Sequence, residues 1–350
     1  MIDWVSALIP CRHFEPIHNG LFVRTKRDGS TDWESLSRLS VSGSYESAVT
    51  IRSAPWAGDD VIELSGNLAK FFQGHNLFGT DDLPGLVFEF MRWLSVNHYG
   101  TLVAPTPENI ESWRAGAYAL HRVDVTTSYT LPTRGDVLAW LRAAEQTAYM
   151  KHRGRGQLYS GNTLYFGKGS RRWSLKLYAK GPEIEDNAAH QPALADLPHL
   201  KAWADNVLRA ELTLRGMEMK RLGIDTGTAW LPLDEVPFDV QSLLQERMGA
   251  MTMTTNNMLT DEARNELTSA QRTAYAAWEA GNDLRDLIPP RSFYRLRAKL
   301  LPHGIDIATV KASEDRSNVI PLVRVLEAVP AQVPDWAIGT PLYFEPRRVA

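Results

Sequence analysis

Two stretches of this chain alternate polar and apolar side chains so regularly that they constrain the fold more than any other feature. Residues 119–131 place Val123 on one side of a predicted strand and Asp124 on the other. Residues 207–214 repeat the pattern, with Glu211 on the polar side. Strands of this kind form a sheet with one apolar and one polar face, and we expect both carboxylates on the polar face.

The order of the predicted elements indicates the fold class. Residues 1–65 contain short runs typical of strands, separated by turns, and a meander is the simplest arrangement. The stretch 66–82 is rich in Gly, Asn and aromatic residues, which favours a shaped loop. From about residue 231 the apolar residues recur at helical spacing. We therefore expect an α+β fold, with a catalytic domain over residues 1–228 and a smaller helical domain over 229–350.

Several function classes are excluded by what the sequence lacks. A single cysteine, Cys11, rules out an intramolecular disulfide and fits a reducing cytosol. The longest apolar run, 83–94, contains Glu89 and Arg92 and is far shorter than the ~20 residues of a membrane span. Neither a P-loop nor a Rossmann fingerprint is present, so nucleotide hydrolysis is unsupported. The expected location is the cytoplasm.

A basic segment stands out on a chain whose net charge is −3. Between Glu145 and Glu183 there is no acidic residue. The segment carries eight basic residues, namely Lys151, Arg153, Arg155, Lys168, Arg171, Arg172, Lys176 and Lys180. Two β-rich runs, 163–167 and 173–178, predict a hairpin whose connector is itself basic. This charge distribution indicates a surface that binds the phosphate backbone of a nucleic acid.

The same segment contains a candidate nucleophile. Tyr178 ends the second predicted strand, and a tyrosine hydroxyl, whose ordinary pKa is about 10, requires activation by nearby cations such as Lys180. A tyrosine at the end of a strand also serves simply in packing. Tyr159 and Tyr165 are competing candidates in the same region, and Tyr149 lies on the preceding predicted helix.

Metal ligands are expected on the polar face of the sheet. Asp124 and Glu211 on adjacent strands are suited to a hard divalent ion, since Mg²⁺ prefers oxygen ligands together with a phosphate. The alternative is that both carboxylates form ion pairs with Arg122 and Arg209 on a solvated face. His75, in a loop of small and polar residues, is a further candidate for a metal or phosphate contact, or for an ordinary hydrogen bond.

A second basic element is predicted near the C-terminus. Residues 290–301 favour a helix that ends at the stop signal His303-Gly304. Phe293, Leu296 and Leu300 lie on its apolar face. The opposite face carries Arg291, Arg295 and Arg297 among its basic residues. Such a helix contacts a DNA backbone or enters a groove, or it is an ordinary solvated amphipathic helix.

Six stretches of the chain resemble, in the same order, the gene II replication initiators of filamentous phages. They are LAKFFQGHNLFGTDDL (68–83), HRVDVT (121–126), TLYFGKGSRRWSLKLYAKGPE (163–183), VLRAELTLRG (207–216), PPRSFYRLRAKLLPHGID (289–306) and NVIPLVRVLEAVPAQVPDW (318–336). Together they extend over most of the chain. The Tyr-x-Lys hairpin and the Arg-x-Glu strand are also similar to those of plasmid rolling-circle initiators.

The resemblance implies a replication-initiator nuclease domain of the HUH-like kind, built on an antiparallel sheet and followed by a smaller helical domain. It implies a strand-specific endonuclease whose tyrosine attacks the origin, becomes linked to the 5′ phosphate and leaves a 3′-OH that primes rolling-circle synthesis. The enzyme later rejoins the displaced strand. The nucleophile then falls on Tyr178 with Lys180 beside it. Asp124 and Glu211 become ligands of Mg²⁺, or Mn²⁺, with His75 as the third.

Partners and contacts follow from the same resemblance. The partners are phage origin DNA, as duplex and displaced single strand, together with a host helicase and DNA polymerase in the host cytoplasm. The residues expected to bind DNA are Lys168, Arg171, Arg172, Lys176, Arg209, Arg291, Arg295 and Arg297. The chain lacks the His-hydrophobic-His metal motif of many related initiators, and His121-Arg122-Val123-Asp124 is its nearest equivalent. A DNA-binding regulator without catalytic chemistry is the alternative class.

Overall fold

The computed structural model describes residues 1–43, 45, 47–58, 60–186, 194, 197–232, 238–249, 251–253, 267–279, 282–300, 305, 307–308 and 330–346. No described helix is long and apolar enough to cross a bilayer.

The strands, in chain order, are β1 (Ile2–Pro10), β2 (Leu21–Thr25), β3 (Thr31–Leu36), β4 (Leu39–Ser42), β5 (Ala48–Ser53), β6 (Val61–Gly66), β7 (Ala119–Thr130), β8 (Ala148–Met150), β9 (Gly154–Arg155), β10 (Gln157–Tyr159), β11 (Thr163–Phe166), β12 (Trp173–Ala179), β13 (Val207–Arg215) and β14 (Met251–Met253).

The helices are α1 (Leu68–Gln73), α2 (Leu83–Asn97), α3 (Pro107–Arg114), α4 (Arg134–Thr147), α5 (Lys180–Asp186), α6 (Pro198–Asp205), α7 (Gly216–Leu222), α8 (Val240–Gly249), α9 (Ser269–Glu279), α10 (Leu284–Leu287) and α11 (Pro290–Leu300). A 3₁₀ helix spans Gly227–Trp230.

Nine strands form one antiparallel sheet in the order β10-β11-β12-β13-β7-β1-β6-β5-β4. The two alternating strands predicted from the sequence, β7 and β13, are central neighbours in it. Their apolar side chains share one face, where Val125 lies opposite Leu212. This face packs against α1, α2, α4 and α8 in a single hydrophobic cluster. The expected α+β fold on an antiparallel sheet is therefore confirmed.

Two expectations for the first 82 residues were wrong in part. The meander holds for β4, β5 and β6, but β1 pairs with β6 and β7, and β2 and β3 form a separate two-stranded sheet. The stretch predicted as a loop contains α1, because the side chain of Asn67 accepts a hydrogen bond from the Lys70 N–H and caps the helix. Gly74, with φ of 83°, ends it.

The C-terminal part of the chain contributes to two different clusters. Helices α9 to α11 bury their apolar side chains, including Phe293 and Leu300, in a small cluster of their own. In contrast, Phe344 stacks on Phe72 with ring centroids 4.1 Å apart, so residues 330–346 pack against the part that carries the large sheet. The domain boundary near residue 229 stays a prediction. The helix-stop signal expected at His303-Gly304 lies outside the described residues.

The turn after α3 offers a test of the packing between the sheet and the 3₁₀ helix. Gly116 has φ of +66°, and a Cβ there would lie 2.4 Å from the Thr228 nitrogen, whose N–H donates to Gly116 O at 2.8 Å. We expect Gly116→Ala to lower the free energy of unfolding by roughly 2–5 kcal/mol, from the left-handed backbone and from overpacking. Chemical denaturation measures this change.

Gly161→Ala is the matched control, because Gly161 has φ of +71° and nothing lies within 4 Å of the point that its Cβ would occupy. It is expected to cost only the roughly 1–2 kcal/mol of the left-handed conformation. Equal losses for the two variants would contradict the close approach at Gly116.

Candidate active site

The polar face of the large sheet brings together residues predicted separately from the sequence. Strand pairing places Lys176 of β12 opposite Glu211 of β13, and Tyr178 opposite Arg209. The Lys176 Nζ donates to Glu211 Oε2 at 3.2 Å and lies 3.9 Å from the centroid of the Tyr178 ring. Tyr178 is thus held among charged side chains near the end of β12, two residues before α5 begins.

Tyr178 is almost fully buried, with 1% of its surface exposed. Burial raises the pKa of its hydroxyl well above the ordinary value, and Glu211, Glu183 and Asp3 add to this rise. The positive charge of Arg209 acts in the opposite direction but is outweighed. In this conformation Tyr178 is therefore a neutral phenol, and its chemistry requires both a proton acceptor and access for a substrate.

Lys180 begins α5 and is fully buried next to Tyr178, with its Nζ 5.8 Å from the centroid of the tyrosine ring. The Nζ donates to Glu183 Oε2 at 2.7 Å and to Asn76 Oδ1 at 2.9 Å. Burial and the charge of Arg209 lower the pKa of Lys180 to about 8, although Glu183 opposes the shift. A lysine with such a pKa exchanges protons near neutral pH more readily than an exposed one.

Arg209 fastens a loop to this end of the sheet. Its guanidinium donates hydrogen bonds to the backbone carbonyls of Asn76 and Leu77, and its Nε donates to Ser128 Oγ at 3.3 Å. The side chain is fully buried. The expectation that Arg209 contacts DNA does not agree with this position, because its donors bind the protein's own backbone and its surface is covered.

Asp124 faces the same side of the sheet. It lies opposite Thr213, which makes it the diagonal neighbour of Glu211 at about 7–8 Å between Cα atoms. Its carboxylate accepts two hydrogen bonds from Arg122, one of them from Nε at 2.9 Å. Burial raises the pKa of Asp124 to about 6, with further contributions from Glu211 and Asp3, while Arg122 opposes the rise. The predicted ion pair with Arg122 is confirmed, whereas Glu211 pairs with Lys176 rather than Arg209.

The described residues contain no group of three or more His, Cys, Asp or Glu side chains able to hold a metal ion. Asp124 and Glu211 are nevertheless a donor set that suits Mg²⁺, which commonly takes one or two carboxylates and completes its shell with water and substrate phosphate. The two carboxylates fit a magnesium ion only if water and substrate phosphate supply its other ligands. Their role as ligands stays a prediction.

The hydrogen bonds of His75 go to the protein backbone and not to Asp124 or Glu211. Its Nδ1 accepts a hydrogen bond from the Leu77 N–H at 3.2 Å, and Nε2 lies 2.9 Å from Leu342 O, to which it donates in the matching tautomer. Burial lowers the pKa of His75 to about 4. Both ring nitrogens are therefore used by the backbone, and the geometry gives no support to His75 as a metal ligand. It joins the loop after α1 to the C-terminal segment.

The remaining residues expected to bind DNA lie in three places, namely the connector between β11 and β12, strand β12 itself and helix α11. Lys168, Arg171 and Arg172 occupy the connector between β11 and β12, where the Lys168 Nζ lies 3.8 Å from the Tyr159 ring centroid. In α11, Arg291 and Arg295 are exposed, as the predicted amphipathic pattern requires. Arg297 lies on the same helix and is half-buried. Lys176 is the member of this set that the structure brings to the polar face against the Tyr178 ring.

Sequence reasoning missed three members of the site. Asn76 accepts from Lys180 and donates through Nδ2 to Asp3 Oδ1 at 3.0 Å, and Glu183 pairs with Lys180. The Lys180–Glu183 spacing of three residues in a helix was a usable signal for the ion pair. Asp3 and Asn76 had none, because their approach depends on the pairing of β1 and on the loop fastened by Arg209.

The assignment of Arg209 as an anchor can be separated from a DNA-binding role. We expect Arg209→Met to lower the free energy of unfolding by about 2–6 kcal/mol, since two buried carbonyls lose their donors. The exposed Arg171 is the matched control, and Arg171→Met should weaken DNA binding while leaving stability within about 0.5 kcal/mol of wild type. Chemical denaturation and fluorescence anisotropy with labelled DNA measure the two effects. An Arg209→Met variant of normal stability would contradict the anchor.

Comparison with known proteins identifies the family. Residues 1–232 match the N-terminal family, and residues 259–346 the C-terminal family, of the phage replication-associated protein known as the gene 2 protein. The chain is 39% identical over 343 residues to the replication-associated gene 2 protein of Enterobacteria phage I2-2, covering 95% of each chain.

Among solved structures, the rolling-circle replication initiator protein of Geobacillus stearothermophilus aligns with 75% of this chain and 89% of its own, at 15% identity and a TM-score of 0.30. A structural similarity of that size supports no conclusion. The two family matches and the phage relative show the family, and the chain belongs to the phage replication-associated gene 2 proteins.

Proposed function

We propose that this protein is a site- and strand-specific DNA nicking and rejoining enzyme that initiates and terminates rolling-circle replication of phage DNA. The observation that carries the proposal is the position of Tyr178. It lies near the end of a strand on the polar face, with Lys176 and Lys180 beside its ring and Arg209 opposite, in a chain of a replication-associated family. A tyrosine surrounded by cations is suited to attack a phosphodiester.

The proposed reaction exchanges one phosphodiester for another. The Tyr178 Oη attacks the phosphorus, a bond forms between the two, and the bond from phosphorus to the 3′ oxygen breaks. The phenol proton leaves with a base, and the departing 3′ oxygen takes up a proton to become a 3′-OH. Because the 5′ phosphate stays linked to Tyr178, the energy of the broken bond is retained, and a 3′-OH can attack the adduct to rejoin the strand.

Lys180 is proposed as the group that handles protons beside Tyr178. Its lowered pKa, about 8, makes the neutral amine accessible near neutral pH, and Glu183 and Asn76 hold its Nζ in place. Burial lowers the pKa of Lys176, but Glu211, Tyr165 and Asp3 together raise it above its ordinary value, so Lys176 keeps its charge. The two lysines therefore have different roles in this proposal. Lys176 supplies positive charge to the phosphate, and Lys180 accepts and donates the proton.

A Mg²⁺ or Mn²⁺ ion is proposed to be held by the diagonal pair Asp124 and Glu211. Such an ion would polarise the scissile phosphate and stabilise charge on the leaving oxygen. Both carboxylates must then exchange their present partners, Arg122 and Lys176, for the ion. The released Arg122 and Lys176 would remain on the polar face as cations for the DNA backbone.

The burial of Tyr178 adds a step before chemistry. With 1% of its surface exposed, Tyr178 cannot meet a phosphate until the groups packed around it move. The proposed moving element is the loop of Asn76 and Leu77, and its release requires DNA binding to replace the hydrogen bonds that Lys180 and Arg209 donate to it. The proposed partners are phage origin DNA, as duplex and displaced single strand, and a host helicase and polymerase in the host cytoplasm.

Tyr178→Phe is expected to abolish the covalent protein–DNA adduct on supercoiled origin DNA with Mg²⁺. The ring stays in its packed position and keeps its contact with Lys176, so DNA binding and stability should stay near wild type. Denaturing electrophoresis of labelled DNA detects the adduct. Tyr165→Phe and Tyr159→Phe are the matched controls on the neighbouring strands, and both should form it.

A normal yield of adduct from Tyr178→Phe would overturn the assignment and move the nucleophile to Tyr165 or Tyr159. Origin binding by the wild-type protein with no nick and no adduct would instead support the non-catalytic DNA-binding class.

The metal proposal predicts a particular dependence on pH. A carboxylate must be deprotonated to bind metal, and the pKa of Asp124, raised to about 6 by burial, lies above the ordinary value of 3.8. Mg²⁺-dependent nicking and Mn²⁺ binding to the protein–DNA complex, measured by calorimetry, should therefore fall as the pH drops through about 6. Asp124→Asn and Glu211→Gln should each weaken metal binding at least about tenfold. Metal affinity that is unchanged down to a pH of about 5 would exclude Asp124 as a ligand.

A further inference from the structure

The connector end of β12 carries a group of arginines that the proposed reaction does not use. We define the arginine cluster as Arg153, Arg172, Arg221 and Arg247. Three of its members surround one carboxylate, that of Glu218 on α7, which is almost fully buried. The distances to Glu218 are 2.6 Å from the Arg221 Nη2, 3.4 Å from the Arg247 Nη2 and 3.7 Å from the Arg172 Nη1.

Trp173, the first residue of β12, holds two of these arginines in place. The Arg153 guanidinium carbon lies 4.3 Å from the centroid of the Trp173 ring, and that of Arg247 lies 4.9 Å from it. The Nε atoms of Arg153 and Arg247 are buried and have no hydrogen-bond partner among the described residues. An arginine donor that is buried without an acceptor is costly, so this site lacks a group that would accept from it.

The net charge of the cluster also favours a ligand that accepts hydrogen bonds. Three guanidinium groups lie around the buried carboxylate of Glu218, Arg153 adds a fourth positive charge nearby, and Glu246 also acts on Arg221. Guanidinium groups stay protonated at any ordinary pH. The pKa of Arg153 is lowered by burial and by the neighbouring charges of Arg247 and Arg172, against the attraction of Glu218. Excess positive charge and unused donors together favour an anionic ligand with several oxygens.

The position of the cluster relates it to the candidate active site. Trp173 and Tyr178 are five residues apart on β12, about 17 Å along the strand. Their side chains point to opposite faces, so the cluster lies around the connector end of the sheet. Arg215 bridges the two regions, because it lies on the polar face beside Ser174 and its backbone N–H donates to Arg172 O at 2.8 Å. A DNA backbone leaving Tyr178 along the polar face would meet positive charge at Lys176 and at Arg215, and would reach the cluster by passing around the connector end of the sheet.

We propose that the arginine cluster is a second binding site for a phosphodiester group of DNA, at the end of β12 that lies about 17 Å along the strand from Tyr178. This inference rests on the proposed function, because it takes DNA as the ligand. Arg153 and Arg247, held over the Trp173 ring, would donate their unused Nε–H groups to the phosphate, and Arg172 and Arg221 would supply the outer contacts. Glu218 fixes the arginines and moderates their charge.

The test is the salt dependence of DNA binding by the full-length protein. Fluorescence anisotropy with a labelled origin duplex, and with its single strand, is followed from about 50 to 200 mM salt. The double variant R153Q/R247Q should bind about tenfold more weakly at low salt. The slope of log K against log salt should become shallower by about 0.9 per lost duplex phosphate, or about 0.7 for the single strand. The duplex and single-strand arms show which form occupies the site.

Two further variants keep the test independent of folding. Arg221→Gln changes a half-exposed member of the cluster and should produce a shallower slope in a protein of normal melting temperature. Arg285→Gln is the matched control, since Arg285 is exposed, pairs with Asp283 and lies outside the cluster, and its slope should equal that of wild type. A wild-type slope in both cluster variants would overturn the proposal.

Inorganic phosphate distinguishes DNA from a small anion. If phosphate alone raises the melting temperature of wild type but not of R153Q/R247Q, while the DNA slopes are equal, the cluster binds free anions and the DNA proposal is wrong. The adduct assay is scored separately. A changed slope without adduct upholds the cluster and contradicts nicking, whereas an adduct with an unchanged slope does the reverse.

Discussion

The hydrogen bonds of Arg209 to the carbonyls of Asn76 and Leu77 are the constraint on which the candidate site depends. Arg209 lies opposite Tyr178 in the sheet, so the same side chain that opposes the rise in the tyrosine's pKa also fixes the loop beside it. The loop in turn supplies Asn76 to Lys180. One buried guanidinium thus links a strand, a loop and the first turn of a helix. We expect a displacement of any of these elements to alter the surroundings of the tyrosine ring.

Burial and the charges of neighbouring groups together set the pKa values of this site. Burial is the largest effect for Tyr178, Asp124 and Lys180. It raises the pKa of Tyr178 and of Asp124 and lowers that of Lys180, so that it favours the neutral form of each group. Lys176 is the exception, because Glu211, Tyr165 and Asp3 together outweigh burial and keep it charged. Near neutral pH Tyr178 therefore stays a neutral phenol, whereas Asp124 and Lys180 are charged but closer to changing their charge than exposed groups of their kind. Entry of a phosphate or a cation changes the balance for all of them together. Coupling of this kind suits a site that should react only when DNA is present.

The sequence allowed the sheet and its polar face to be predicted, but not the connections across the molecule. Alternation in β7 and β13 depends on local spacing alone, and the placement of Asp124 and Glu211 on one face followed from it. The pairing of β1 with β6 and β7 is set by contacts between distant residues, which no local pattern records. For the same reason Arg209 was expected at the surface and His75 at a metal. The loop that occupies both side chains folds back from another part of the chain.

The contacts of His75 bear on the order in which parts of the molecule fold. Its ring binds Leu342 O, a residue 267 positions further along the chain, and Phe344 N donates to Gln73 Oε1 nearby. Contacts of such long sequence separation form slowly, because closing so long a loop costs conformational entropy. A chain emerging from the ribosome can build the large sheet well before residues 342–344 are made. Arg209 can therefore hold the loop beside Tyr178 as soon as the sheet forms, whereas the attachment of His75 and Gln73 is added only after residues 342–344 have been made.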